Sequence, residues 1–269
     1  MTHIISWNVN GIRANLKKLA PNGKPYIQNL VDTEQPDFLC LQEVRSTGKE
    51  LDLFRPTYPH IFTHVADKKG YSGTAILAKE APIHVYKNFS AEPAIEVAAS
   101  HLAAMSEGRV LTAEYPTYFI VTTYTPNAKA GLERLEERQV WDGFWCAYLK
   151  SLAARKPVIA CGDLNVAHTD QDVYAAKGKA VAGVTAQERA GFSTLLNSGF
   201  VDTFRAKHPD VRRWSWWSNF AQCRARNVGW RIDYVLVSSS LQEHITVADC
   251  LNDYLGSDHC PVALQLSAL

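Results

Sequence analysis

No apolar stretch in the chain reaches the roughly 18 consecutive residues that a membrane-spanning helix needs. Met1 runs directly into Ile4-Ile5-Ser6-Trp7, without the basic segment and long apolar core of a secretory leader. The setting expected from this is soluble and intracellular. An excess of one charge sign is also lacking: 28 Lys and Arg stand against 27 Asp and Glu, a net charge of +1. The chain has no global positive field, so any contact with a polyanion must come from local segregation of charge. Cys40, Cys146, Cys161, Cys223, Cys250 and Cys260 show neither CxxC spacing nor a metal-finger pattern, and all six are expected to be reduced. GxSxG, catalytic-cysteine, phosphate-loop and dinucleotide signatures are missing. What remains is 269 residues, 46% hydrophobic and 20% charged, which excludes a disordered or low-complexity chain. With no repeat and no linker, residues 1–269 read as a single domain.

Eight short runs rich in β-branched and aromatic residues, each bounded by turn formers, read as buried strands. They are His3–Trp7, Asp37–Leu41, Ser72–Ala78, Val110–Glu114, Tyr118–Thr123, Pro157–Cys161, Ile232–Val237 and Pro261–Leu266. Between Leu132 and Arg155 apolar residues recur at three- and four-residue spacing, the stripe of a helix lying on a sheet. A second helix starts at Thr185, with Glu188 placed to complete a capping box, and ends near Gly199. Strands alternating with helices predict an α/β domain with helices covering packed sheets.

Polar residues collect where the strands should end. Asn8 and Asn10 follow the first run and Glu43 the second; Tyr124, Asn127, Asp163 and Asn165 follow two others. Asp233 lies at the start of another strand, and Asp258 and His259 precede the last. In layered α/β folds, one end of several strands forms a common rim, so distant residues can meet there. Taken singly, each has an ordinary structural explanation: an Asp after a strand is usually a turn or cap. Together, carboxylates and carboxamides without a Cys–His ligand set favour a hard cation such as Mg²⁺ or Mn²⁺. Beside a His and a further Asp, that chemistry suits hydrolysis of a phosphodiester by water.

At these residues the chain resembles the exonuclease III family of AP endonucleases, within the endonuclease/exonuclease/phosphatase superfamily. The resemblance rests on SWNVNGIR at 6–13, LQE at 41–43, GYSG at 70–73, EGR at 107–109, YTPN at 124–127, GDLNVAH at 162–168, NVGWRIDY at 227–234 and GSDHCP at 256–261. It covers about residues 3 to 266. The resemblance implies a four-layer α/β sandwich, two mixed sheets packed face to face with helices outside, of the deoxyribonuclease I-like kind. It implies Glu43 as metal ligand with Asn10 nearby, and Asp258 as a second-metal or electrostatic residue. Asp163 would deprotonate or align the attacking water, Asn165 would hold it, and Tyr124 and Asn127 would touch the phosphate. Asp233 would hold His259 as a charged donor.

The segment from Thr203 to Arg231 has seven Lys or Arg, one acidic residue and four of the seven Trp, and reads as a local basic, aromatic surface for nucleic acid. The alternative is a core segment with solvated arginines. By resemblance Trp216, Trp230 and Ile232 would line a pocket for a base-less sugar, and Asn8, Arg13, Arg45, Tyr71, Arg109, Phe220 and Arg224 would contact substrate. Ala130 stands where some members have an inserting Arg, and the stretch Asn88–Ser106 looks long for the family. The expected substrate is double-stranded DNA with abasic sites or blocked 3′ ends, with Mg²⁺ as cofactor and Mn²⁺ as a substitute. The chain is expected to be a monomer, cytoplasmic and nucleoid-associated, or nuclear in a eukaryote. An exonuclease-dominant member, a phosphatase or phospholipid phosphodiesterase, and a non-catalytic DNA-binding relative are the alternatives.

Overall fold

The computed structural model describes residues 1–175 and 181–268. Among these, twelve strands, numbered in chain order, build two mixed six-stranded sheets. In spatial order the first contains β11 (Ile245–Cys250), β12 (Val262–Leu266), β1 (Thr2–Asn8), β2 (Phe38–Gln42), β4 (Thr74–Ala78) and β3 (His60–His64). The second contains β5 (His84–Lys87), β6 (Val110–Glu114), β7 (Phe119–Tyr124), β8 (Val158–Asp163), β10 (Asp233–Ser238) and β9 (Phe200–Asp202). All eight strands read from the sequence are present, with ends moved by one or two residues. They are the eight interior strands of the two sheets.

Alternation along each strand sorts its side chains between two apolar layers. Ile4, Cys40 and Ile76 of the first sheet pack with Leu111, Ile120, Ile159, Cys161 and Val235 of the second, forming the layer between the sheets. Their strand neighbours Ile5, Trp7, Leu39, Leu41 and Ala75 face outward, against Ile12 of α1 (Ile12–Asn15) and Ile27, Leu30 and Val31 of α2 (Tyr26–Glu34). The outer face of the second sheet is covered by α3 (Pro93–Ala99), α4 (Leu135–Ala153) and α5 (Ala186–Asn197), with Trp141, Trp145, Tyr148 and Phe192 packed on Phe119, Val121 and Tyr234. The result is the expected four-layer sandwich. A short α6 (Thr203–Lys207) follows β9. The expected capping box at Thr185 is present, with Thr185 Oγ1 accepting from the Glu188 amide at 3.1 Å. The long Asn88–Ser106 stretch contains α3 and packs Phe89, Ala99 and Leu102 into the outer layer with α4. All six cysteines are free thiols.

Chain direction puts the chemistry at one edge. β1 and β2 are parallel, as are β7 and β8, so the residues after Asn8, Gln42, Tyr124 and Asp163 emerge on one side. β12 and β10 run antiparallel to these, so the residues at their starts reach the same side. Asp233 is paired directly with Asp163. The approach of β8 to β7 requires a glycine: at Gly162 φ is +144°, and a Cβ there would lie 1.9 Å from the Thr123 carbonyl oxygen. Since both partners are backbone, neither can swing away. Gly162→Ala is expected to lower unfolding free energy by about 3 kcal/mol or more, measured as a reduced urea midpoint at unchanged slope. A loss under about 1 kcal/mol would mean that the strands separate easily at this point.

Candidate active site

The sheet edge forms a cavity of about 360 Å³. Its acidic floor comes from Glu43 and Asp163, 120 residues apart in the chain and joined by one amide. Asn8 Nδ2 donates to Glu43 Oε1 and to Asp163 Oδ2, both at 2.9 Å. Asn8 is fully buried, so the expected substrate contact is corrected: this side chain lies beneath the site and ties its two carboxylates together. Asp163 Oδ1 accepts from the Asn165 amide at 2.9 Å. Burial, foremost, raises the Asp163 carboxyl to about 7, against the opposing charge of His259.

His259 stands beside this pair, its Nε2 3.8 Å from Asp163 Oδ2. Its Nδ1 lies 2.8 Å from Asp233 Oδ2. Burial alone would lower the imidazole's pKa, but the charge and hydrogen bond of Asp233, with Asp163 and Asp258 behind, raise it to about 10. Near neutrality the ring is therefore an imidazolium; Nδ1 donates to Asp233 and Nε2 carries a second proton. Ser215 Oγ accepts from the amides of Ile232 and Asp233, both at 3.0 Å, fixing the start of β10. No feature of the sequence singled out Ser215.

The other expected residues divide by position. Tyr124, Asn127 and Asn165 line the cavity. Burial, followed by the Glu43 carboxylate, holds the Tyr124 hydroxyl well above its usual pKa, so it stays protonated as a donor. Asn127 Nδ2 donates to Asn165 Oδ1 at 2.9 Å, and Asn165 Nδ2 to the Thr125 carbonyl, so the two amides brace each other. Asn10 donates to Asp258 at 2.8 Å, and Trp216 Nε1 donates to the other Asp258 oxygen at 3.3 Å. These bonds and the His259 charge outweigh burial and hold the Asp258 carboxyl below its usual pKa. Asn10, Glu43, Arg45 and Asn165 all have φ near +50°, a left-handed backbone rarely taken by side-chain-bearing residues. Glu43 and Arg45, which lack the short amide side chain that tolerates this region, carry strain of about 1–3 kcal/mol apiece.

Trp216, Trp230 and Ile232 form an apolar wall next to the acidic floor. The two indoles meet edge to face with centroids 5.7 Å apart. They are seated by paired backbone bonds, each amide to the other's carbonyl at 2.9 Å.

Three further expectations are corrected. Arg109 is 1% exposed; its guanidinium binds Glu107, the Tyr124 carbonyl and the Tyr71 hydroxyl, so it supports the rim from inside. Arg224, partly buried, has its guanidinium engaged by the carbonyls of Asn252, Tyr254 and Ser257, to which it donates. Phe220 lies outside the cavity and is 81% exposed, which leaves its expected substrate contact open. The Thr203–Arg231 segment is not a free basic surface. Arg231 is buried against Asp172 and Asp202, Arg205 binds Asp172, Arg212 binds two carbonyls, and Trp214 and Trp217 are core. Composition cannot distinguish a guanidinium bound to internal oxygens from a solvated one. Arg45 pairs with Glu43 at the cavity mouth, Arg13 pairs with Glu50 on the surface, and Tyr71 is half-buried beside Arg109.

Among the described residues, the acid and imidazole groups that converge closely enough to share one ion are Glu43, Asp163 and His259, with ligand atoms within 4.8 Å of one another. The imidazolium cannot ligate while both its nitrogens carry protons, which leaves two carboxylates. An oxygen donor set of this kind suits a hard divalent cation. The sequence grouped Glu43 with Asn10 and Asp258. In the structure Asn10 and Asp258 bond to each other in the same cavity as Glu43, and Asp163 also lies close to Glu43.

A family model described as endonuclease/exonuclease/phosphatase matches residues 5–259. An exodeoxyribonuclease of Bacillus subtilis (strain 168) is 43% identical over 266 residues, covering 98% of this chain and 99% of its own length. DNA repair nuclease APEX1 of Danio rerio is 43% identical over 270 residues, covering 98% of this chain and 82% of its own. Among solved structures, the AP endonuclease LMAP from Leishmania major superposes with a TM-score of 0.82 at 30% identity, over all of this chain and 88% of that one.

Proposed function

Since the chain belongs to the endonuclease/exonuclease/phosphatase family and is a phosphodiester hydrolase, we propose that it is a DNA repair nuclease. It cuts the phosphodiester 5′ to an abasic site to leave a 3′-hydroxyl, and carries 3′→5′ exonuclease and 3′-phosphodiesterase activity. The observation that supports this reading best is the junction of two surfaces. The Asn8-bridged carboxylates and the charged His259 lie directly against the apolar wall of Trp216, Trp230 and Ile232. One surface suits a phosphate, the other a sugar without its base. An abasic nucleotide is also inexpensive to extrude from the duplex, because it has no stacking or pairing to lose.

Asp163, with a pKa near neutrality, takes a proton from water as the water oxygen bonds to phosphorus and the P–O3′ bond breaks, and the departing 3′ oxygen takes up a proton from solvent to become the hydroxyl. Imidazolium Nε2–H of His259 and the Tyr124 hydroxyl donate to the phosphate oxygens on which negative charge grows. Asp233 and Ser215 keep the imidazole in place. Glu43, in the same cavity as Asn10 and Asp258, would hold Mg²⁺, or Mn²⁺ in its place. The bound cation would add charge screening for the phosphate. Exposed Phe220, Arg13 and Arg45 face outward, where a duplex can reach them. A monomer in the cytoplasm, on the nucleoid, is part of the reading; six free thiols suit a reducing compartment.

The test is an end-labelled duplex bearing one abasic analogue, incubated with Mg²⁺ or with EDTA. The expected result is one metal-dependent nick immediately 5′ to the analogue. Digestion from the ends without a nick would replace this reading with an exonuclease. Cleavage of inositol phosphates or sphingomyelin with no cut in DNA would overturn it.

A further inference from the structure

We infer that Arg138 and Glu188, two buried residues of the outer helices, form a positioning pair that locks the catalytic loop and the apolar wall of the cavity into one register. The inference rests on the nuclease reading above, since it names what holds that site in shape.

Arg138 projects from α4 and is 2% exposed. Its Nη2 donates to the Leu164 carbonyl at 2.8 Å, and its Nη1 to the carbonyls of Pro126 at 3.0 Å and Asn165 at 3.3 Å. These three oxygens flank the three site residues that leave β7 and β8: Asn127, Asp163 and Asn165. One guanidinium therefore fixes the spacing of two loops that no regular strand pairing controls. Its Nε is held by Asp142, one helical turn away, at 2.8 Å.

Glu188 does the same for the other side of the cavity. It is fully buried at the start of α5. Its Oε2 accepts from the Gly183 amide at 2.8 Å, the Thr185 amide at 3.2 Å and the Thr185 hydroxyl at 2.7 Å. Gly183 lines the cavity, and a Cβ there would lie 3.1 Å from the Trp230 ring. The second oxygen, Oε1, has no hydrogen-bond partner among the described residues and lies 3.7 Å from Arg138 Nη1. A capping box needs only Oε2. The orphaned Oε1 beside a cation identifies an additional electrostatic link, from wall to Glu188 to Arg138 to catalytic loop. Both charges are buried, and although Asp142 also binds Arg138, removing either partner leaves the other less well compensated. Neither side chain lines the cavity, so both act through the residues they hold.

Arg138→Lys keeps the charge but reaches fewer of the three carbonyls, and Glu188→Gln keeps the shape of the cap but removes its charge. Both are assayed as full-length protein, with folded fraction established by circular dichroism. For Arg138→Lys the expected result is a kcat on abasic duplex lowered about a hundredfold, the cost of displacing reacting groups by about an ångström. KM, and Kd for the duplex without metal, should change by no more than about twofold, because the binding surface is intact. For Glu188→Gln the preference for abasic duplex over an undamaged 3′ end should fall about tenfold, since the wall that selects the sugar is loosened. If both variants, corrected for folded fraction, retain wild-type kcat and preference, the pair is merely structural and the inference fails. If Arg138→Lys does not fold, Glu188→Gln decides alone. Cleavage by the unaltered enzyme is the control: its absence would remove the nuclease reading itself, whatever the variants do.

Discussion

Asp163→Asn is expected to lower the single-turnover rate of abasic-duplex cleavage about 10,000-fold while DNA binding persists, the upper range for loss of a positioned base. Asn is close in size to Asp, so the substitution removes charge and basicity without opening a cavity. The wild-type carboxyl, raised to about 7 by burial, is mostly ionised at pH 7.5 yet basic enough to accept a proton from water. An amide accepts no such proton. It also meets the Asn8 Nδ2 donor now shared between Glu43 and Asp163, so the NH₂ of the substituted side chain must turn away or clash. That conflict costs about 1–3 kcal/mol of stability, a separate effect seen by denaturation. Rates measured at saturating enzyme isolate the chemical step, and a rate within tenfold of wild type would exclude Asp163 as the base.

The second large effect concerns the imidazole. His259→Gln should slow cleavage about 1,000-fold, the order seen when one preorganised donor to a developing oxyanion is lost. The pH dependence of the wild type carries more information than the loss itself. Asp163 must be ionised, so activity is gained as pH rises through about 7; His259 must be charged, so activity is lost as pH rises through about 10. The expected profile is a bell with its plateau between these values. Asp233 is the main group holding the imidazole's pKa up. Asp233→Asn should therefore move the alkaline limb toward neutral pH and leave the acid limb near 7. An alkaline limb unmoved by Asp233→Asn would assign it to some other group and sink the role given to His259.

The strands read from the sequence and those missed differ in one physical respect. Each interior strand has apolar layers on both faces and is largely apolar, and β2, β4 and β6 are buried at every residue. The four missed strands, β3, β5, β9 and β11, are the outer strands of the two sheets. Three of them are only partly buried, and β9 has just three residues. Such edges carry polar residues that discourage pairing with another chain, which weakens the pattern that identifies a strand.

The site divides in the same way. Glu43, Asp163, Asp233 and His259 were legible because side chains at strand ends have few directions to take, and strand direction then sends them to one edge. The depth of a polar side chain was not legible. Asn8, Arg109 and Arg224 belong to the site in chain order, but each is held inside by oxygens contributed from distant segments. Arg138 read only as a polar position on a helix and Glu188 as the partner in a capping box, until packing buried both, Arg138 against Asp142 and three carbonyls, and set the two 3.7 Å apart. Local pattern and chain order thus determined which residues form strands and which meet at the rim. Whether an amide or a guanidinium touches substrate or sits one layer beneath it was decided by long-range packing, which alone sets how much water each group keeps.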